Sequence, residues 1–185
     1  MRFASINCVI DVRSTPASKF NPQYNLEALK SSLAKVDVVY MHFGDAFGAR
    51  HRNPELWDDT GVVDFNKVQR SRAFQDGIER VDIGLSKGFN IALMCSEGNP
   101  LECHIFSMIS SYLVDDGFEV EHIIKNKTLL SHEQLMNRLE KKYAKKIEQP
   151  SLFQAENESL PVKDQINHIH NKEIGWSYRL QQKIR

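Results

Sequence analysis

The chain has too few cysteines for a disulfide framework and no CxxC pair: its three thiols stand at Cys8, Cys95 and Cys103. An odd count at these spacings excludes a small stapled fold. It fits thiols kept reduced in a cytosol, and a cytoplasmic location is expected. A surplus of one charge is also missing. The 24 Lys and Arg balance 24 Asp and Glu, which removes any global pull toward nucleic acid or a membrane and leaves room only for local basic patches. No apolar run approaches the roughly 18 to 20 residues of a membrane span. The start, MRFASINCVID, runs straight into a strand and lacks the shape of a signal peptide. There is no internal repeat. Hydrophobic residues make up 41% of the 185 positions, a modest share whose shortfall lies mainly after Glu148. An α/β domain over 1–147 is therefore expected, followed by a polar linker and helical tail over 148–185.

What is present is an alternation of periods. Ile6 to Ile10 is a short β-branched run suited to a strand buried on both faces. Leu26, Leu29, Leu33 and Val36 recur at helical spacing, and Val38 to Phe43 reads as a second strand. Gly44 to Gly61 reads as a long loop, a length that is usually functional or mobile. Asp64 caps the next predicted helix, whose stripe is Phe74, Ile78, Val81 and Leu85 and whose stop is Gly88. Ile91 to Met94 gives a third strand. Asn99-Pro100-Leu101-Glu102 has the N-cap, first-turn proline and reciprocal carboxylate of a helix start. That helix runs to Gly117, and Phe118 to Ile124 reads as a fourth strand. Ser131 to Gln134 repeats the capping box, with Lys141, Lys142, Lys145 and Lys146 at the helix's negative end. The order β-α-β-α-β-α-β predicts an α/β three-layer sandwich with a mainly parallel central sheet.

In such sheets ligands bind beyond the carboxyl ends of the strands. Two segments bring polar groups there: Asp11, Arg13 and Ser14 after the first strand, and Cys95 and Glu97 after the third. Cys103 and His104 follow in the first turns of the predicted helix. Adjacent helical residues splay about 100° apart, so these two are not expected to face one ligand squarely. Cys95 is either a nucleophile, its thiolate supported by a helix N-terminus or a cation, or a small apolar residue closing a strand. Glu97 is a candidate acid or base, and His104 a base, an anion ligand or a packed histidine. For Cys103 the core reading is the stronger, since a free cysteine packs well in a buried helix. Arg13 beside Asp11 reads as a structural ion pair or an anion contact. Arg50 and Arg52, in the long loop, are anion contacts or solvated charges. A metal site from Cys95, Cys103 and His104 lacks standard zinc spacing, so neither a metal nor a cofactor is expected.

The tail adds Gln149-Pro150-Ser151-Leu152-Phe153. This segment resembles the short peptide by which bacterial DNA-repair and replication proteins dock on the sliding clamp. Gln149, Leu152 and Phe153 would be the inserted residues. The reading that Leu152 and Phe153 pack back on the domain stays open.

Over roughly residues 6 to 125 the chain resembles the family called domain of unknown function 488. The likeness rests on DVRSTPASKFNPQYN (Asp11 to Asn25), FGARHR (Phe47 to Arg52) and ALMCSEGNPLECH (Ala92 to His104). It implies where a site lies without implying an established activity. Family members usually open with a strand of Thr-Ile-Gly-His type, so a truncated or alternative start is expected here. Their pattern continues Cys-His-Arg where this chain has Ile105, so Arg13 or Arg50 would have to supply the cation. A looser likeness, Val9 to Arg13 with Met94 to Ser96, is to rhodanese-type sulfurtransferases and is one of fold level. Three functions are consistent with these readings. The first is an enzyme acting on an anionic, phosphate- or nucleotide-like substrate through Cys95, Glu97 and His104, with Asp11, Arg13, Ser14, Arg50 and Cys103 binding it. The second is a non-catalytic nucleic-acid-associated accessory protein tethered to the clamp. The third is a plain scaffold.

Overall fold

The computed structural model describes residues 5–147 and 160–177. At its centre lies β1 (Cys8–Asp11), all four residues buried. β1 pairs in parallel with β2 (Val39–His42) on one side and β3 (Ile91–Met94) on the other, giving the order β2-β1-β3. Apolar residues on both faces of β1 are what a central parallel strand requires.

Alternation along the strands assigns each residue to a face. Val9 packs with Leu29 and Leu33 of α1 (Leu26–Ala34) and with Val38, Tyr40 and Met94. Cys8, Ile10 and Val12 join the larger core on the opposite face. There they meet Phe43, Phe47, Phe74, Ile78, Val81 and Met108. The sheet thus carries helices on both sides, within a mixed α/β fold.

The expected loop over 44–61 contains two short elements, α2 (Gly44–Phe47) and a 3-10 turn at Pro54–Leu56. Both ends of α2 need glycine. A Cβ on Gly44 would lie 2.5 Å from His42 Nε2 and 2.7 Å from the Arg13 carbonyl. One on Gly48 would lie 2.4 Å from Ser14 Oγ. The helix expected after Asp64 is broken in two. Asp64 caps α3 (Phe65–Gln69), and Ser71 accepts from the Phe74 N–H to restart the chain as α4 (Arg72–Ser86). Gly88, at φ +83°, ends it.

The expected fourth parallel strand is corrected. β4 (Glu121–Ile123) pairs antiparallel with β5 (Leu129–Ser131) in a separate hairpin. The local turn drives this pairing: Asn126 Oδ1 accepts from the Thr128 N–H, and Lys127 takes the left-handed conformation at φ 65°. Among the described residues β3 therefore remains an edge of the parallel sheet. The Ser131–Gln134 capping box forms as the sequence predicts and starts α6 (His132–Tyr143). α7 (Val162–Ile174) packs its Ile166 with Phe106, Leu135, Leu139 and Tyr143. No helix among the described residues is long and apolar enough to cross a membrane.

Candidate functional site

The sheet register divides the polar residues at the strand ends. Asp11 stands opposite both His42 and Met94, so its side chain shares the α1 face with Met94. Cys95, one residue on, packs on the other face with the Phe47 core. The cluster expected as one site is two.

On the α1 face, Asp11 is fully buried and its carboxylate is saturated. Oδ1 accepts from the Arg13 backbone N–H at 3.0 Å and from Nε at 2.9 Å. Oδ2 accepts from Arg13 Nη2 at 2.6 Å and from the Tyr40 hydroxyl at 2.7 Å. Burial alone would raise the Asp11 pKa, but the bonds from Arg13 and Tyr40 outweigh it and hold the carboxyl below its ordinary value. Burial and the bond to Asp11 push the Tyr40 phenol up in turn. Arg13 also donates Nη2 to the Tyr24 carbonyl at 2.8 Å, and its own carbonyl bonds His42 Nε2 at 2.8 Å. Ser14 Oγ accepts from the Arg50 N–H at 3.0 Å, anchoring the segment after α2. The Arg50 side chain is exposed.

On the opposite face three groups converge. Asn99 and Pro100 do start a turn as the sequence predicts, with Asn99 Oδ1 accepting from the Leu101 N–H at 3.1 Å. It is a single 3-10 turn, Pro100–Glu102, and not an α-helix. Cys103 then goes extended at φ −114°, ψ 134°, and His104 leads into a π-helical turn, Ile105–Ser110, continued by α5 (Ser111–Asp115). This overturns the expectation that Cys103 and His104 splay apart, because the 100° rule holds only within a helix. His104 Nδ1 lies 3.8 Å from Cys95 Sγ and 3.9 Å from Cys103 Sγ. Its other nitrogen, Nε2, bonds the Phe47 carbonyl at 2.9 Å. A carbonyl only accepts, so Nε2 carries the proton and the Nδ1 lone pair faces both sulfurs.

The two thiols are unequal. The neighbouring Cys103 thiol, outweighing burial and helped by His104 and the Glu97 backbone, holds the Cys95 thiol well below its ordinary pKa. The bond to Cys95 and then burial push Cys103 up. A thiolate at Cys95 beside a protonated Cys103 is the favoured arrangement. Cys8, the third thiol, is raised by burial.

A groove of about 550 Å³ runs from this cluster along the open edge of β3 toward β4. Cys95, Cys103, exposed Glu97 and His122 contribute to its lining. Ser110 also lines it, buried, its hydroxyl without a partner among the described residues. At the far wall His122 Nε2 contacts His132 Nδ1 at 3.2 Å, and His132 Nε2 meets Ser111 Oγ at 3.3 Å. Burial lowers both imidazoles to a pKa of about 4.

Sequence reasoning missed Tyr40, Ser110 and the Phe47 carbonyl. Tyr40 shares the parity of Val9 and could have been found only from the β1–β2 register. Gln149, Leu152 and Phe153 lie outside the described residues.

A parallel sheet with helices on both faces, and a thiol–imidazole cluster beyond the carboxyl end of one strand that opens on a groove, defines a small mixed α/β domain. Within that class the chain belongs to the family with domain of unknown function DUF488, whose model matches residues 1–113. No curated protein and no solved structure matches significantly.

Proposed function

We propose that this protein is an enzyme that uses Cys95 as a nucleophile on an anionic, phosphate- or nucleotide-like substrate held in the groove beside β3. The observation that supports it is the convergence of Cys95 and Cys103 on the lone pair of a His104 ring fixed by the Phe47 carbonyl. With its proton passed to His104 Nδ1, Cys95 stands as the thiolate, and a sulfur lone pair attacks the electrophilic centre. As the bond to the leaving group breaks, that group collects the proton held at His104 Nδ1. Glu97 is exposed and lines the groove, which suits an acid or base exchanging protons with solvent. Arg50 and Arg52 lie on the exposed segment beyond α2, whose backbone carbonyl orients His104. The groove itself is lined by Glu97, Glu119 and Glu121 and, among the described residues, by no Lys or Arg, so in this reading the cations for an anionic substrate come from that neighbouring segment. Arg13 has its guanidinium committed to Asp11 and contributes through position. With helices on its two faces, we read the small sheet as the core of a three-layer sandwich.

The test uses p-nitrophenyl phosphate as a minimal anionic electrophile with chelator present. Nitrophenolate release at least about a hundredfold above the Cys95→Ser variant, with a phosphoryl adduct on Cys95 in an acid-quenched peptide digest, is expected. Equal release from both proteins and an unmodified Cys95 would remove the nucleophile reading.

A further inference from the structure

The geometry points to a soft-metal site, of the zinc type, formed by Cys95 Sγ, Cys103 Sγ and His104 Nδ1. Among the described residues these are the three potential ligand atoms brought within 4.8 Å of one another. The inference does not rest on the nucleophile reading, because it concerns where a cation is held and not what the thiol attacks.

Three features make this a ligand set and not merely a polar cluster. The first is distance. Zinc takes thiolate at about 2.3 Å and imidazole at about 2.0 Å, which puts sulfur and nitrogen about 3.5 Å apart at tetrahedral angles and about 3.7 Å apart in a trigonal plane. The observed 3.8 and 3.9 Å separations need to close by only about 0.3 to 0.4 Å to reach the tetrahedral value. The second is the tautomer. Metal-binding histidines characteristically donate their second ring N–H to a carbonyl or carboxylate, which fixes the ring and aims the lone pair. The Phe47 carbonyl does this at 2.9 Å. The third is saturation. One lone pair faces two sulfurs and can accept a proton from only one of them, while a cation at the centre satisfies all three atoms.

Zinc spacing in the sequence gives no hint of this, because the extended Cys103 brings its sulfur round to Cys95 in a way that helical geometry would not. Two cysteines and one histidine are three protein ligands. Cys95 and Cys103 are both lining residues of the groove beside β3, so a fourth position is filled from the groove by water or a ligand atom, the pattern of an open rather than a structural zinc site. Binding converts the thiols to thiolates and releases their protons, which makes affinity fall as pH falls. It also commits the Cys95 lone pair, so the metal-loaded protein has no free thiolate there.

The experiment is titration of the full, reduced, chelator-treated chain with zinc, followed by X-ray absorption at the zinc edge. One zinc per chain is expected, with two sulfur neighbours at about 2.3 Å and nitrogen or oxygen neighbours at about 2.0 Å. Cobalt in place of zinc should give thiolate charge-transfer bands that are lost in Cys95→Ser and retained in Cys8→Ala. Zinc should also slow alkylation of Cys95 at least about tenfold relative to the metal-free chain. A sulfur-free shell, no stoichiometric zinc, or a cobalt spectrum unchanged in Cys95→Ser would overturn the site. The absorption measurement needs no variant, so misfolding of a mutant does not blur the result. If zinc binds while metal-free Cys95 transfers no phosphoryl group, the metal site stands and the nucleophile reading falls. If Cys95 is phosphorylated but zinc does not bind, the reverse holds.

Discussion

Two polar groups sit at the same edge of one sheet, one on each face, and they differ in how completely their atoms are used. On the α1 face, both Asp11 oxygens are occupied by Arg13 and Tyr40, and Arg13 is further tied to Tyr24. On the Phe47 face, two sulfurs share one imidazole nitrogen at 3.8 and 3.9 Å. The first group has its bonding filled from within the fold. The second has capacity left for something from outside. Position at a strand's carboxyl end therefore does not by itself make a residue part of a site. Parity decides which face it joins, and saturation decides whether it is free to act.

The largest effect that separates the two faces should come from Arg13. Arg13→Met leaves a buried carboxylate without its cation, and denaturant unfolding should show a loss of about 3–5 kcal/mol. A variant of near wild-type stability would break the contrast, since Arg13 would then be spare for a ligand. Next comes pH. His122 and His132 stay neutral in the fold down to about pH 4, whereas in the unfolded chain they take protons near pH 6.5. Between those values the unfolded state binds more protons, so stability should fall as pH drops through this window, by on the order of 3 kcal/mol for each histidine. Thermal unfolding followed from neutral pH to pH 4 checks this. His122→Phe with His132→Phe should flatten the curve, and an unchanged slope would place the acid sensitivity elsewhere.

Tyr40→Phe removes one charge-assisted bond to Asp11 and should cost about 1.5–3 kcal/mol without changing the labelling of Cys95. A change in labelling would mean that the faces communicate. The smallest effect on stability belongs to the reactive face. Cys95 is only half-buried, and Cys95→Ser should shift unfolding by less than about 1 kcal/mol while abolishing both phosphoryl transfer and metal binding.

Local chemistry made much of the fold legible. The β-branched run at Val9 and Ile10, the helical spacing of Leu29 and Leu33, the Asp64 and Ser131 caps and the left-handed Gly88 all act within a few residues. The segments of the site were legible for the same reason. What was hidden depends on pairing between distant segments. The faces of Asp11 and Cys95 follow from the β1–β3 register. The fate of Phe118 to Ile124 was decided by a tight turn at Asn126 and Lys127 that favours the hairpin over the open edge of β3. The Asn99-Pro100 start signal was genuine, but Cys103 left the helix one turn later. That departure is what brings both sulfurs to His104.

The contrast between the faces is tested most directly by iodoacetamide labelling of the three cysteines in the metal-free native chain. Labelling is followed from about pH 5 to 9 by peptide mass spectrometry. Cys95 should label fast, with a midpoint well below the free-thiol value of about 8.5, while Cys8 and Cys103, both buried, stay slow throughout. A Cys95 that labels slowly, or with an ordinary midpoint, would contradict the assignment and reduce the Phe47 face to packing.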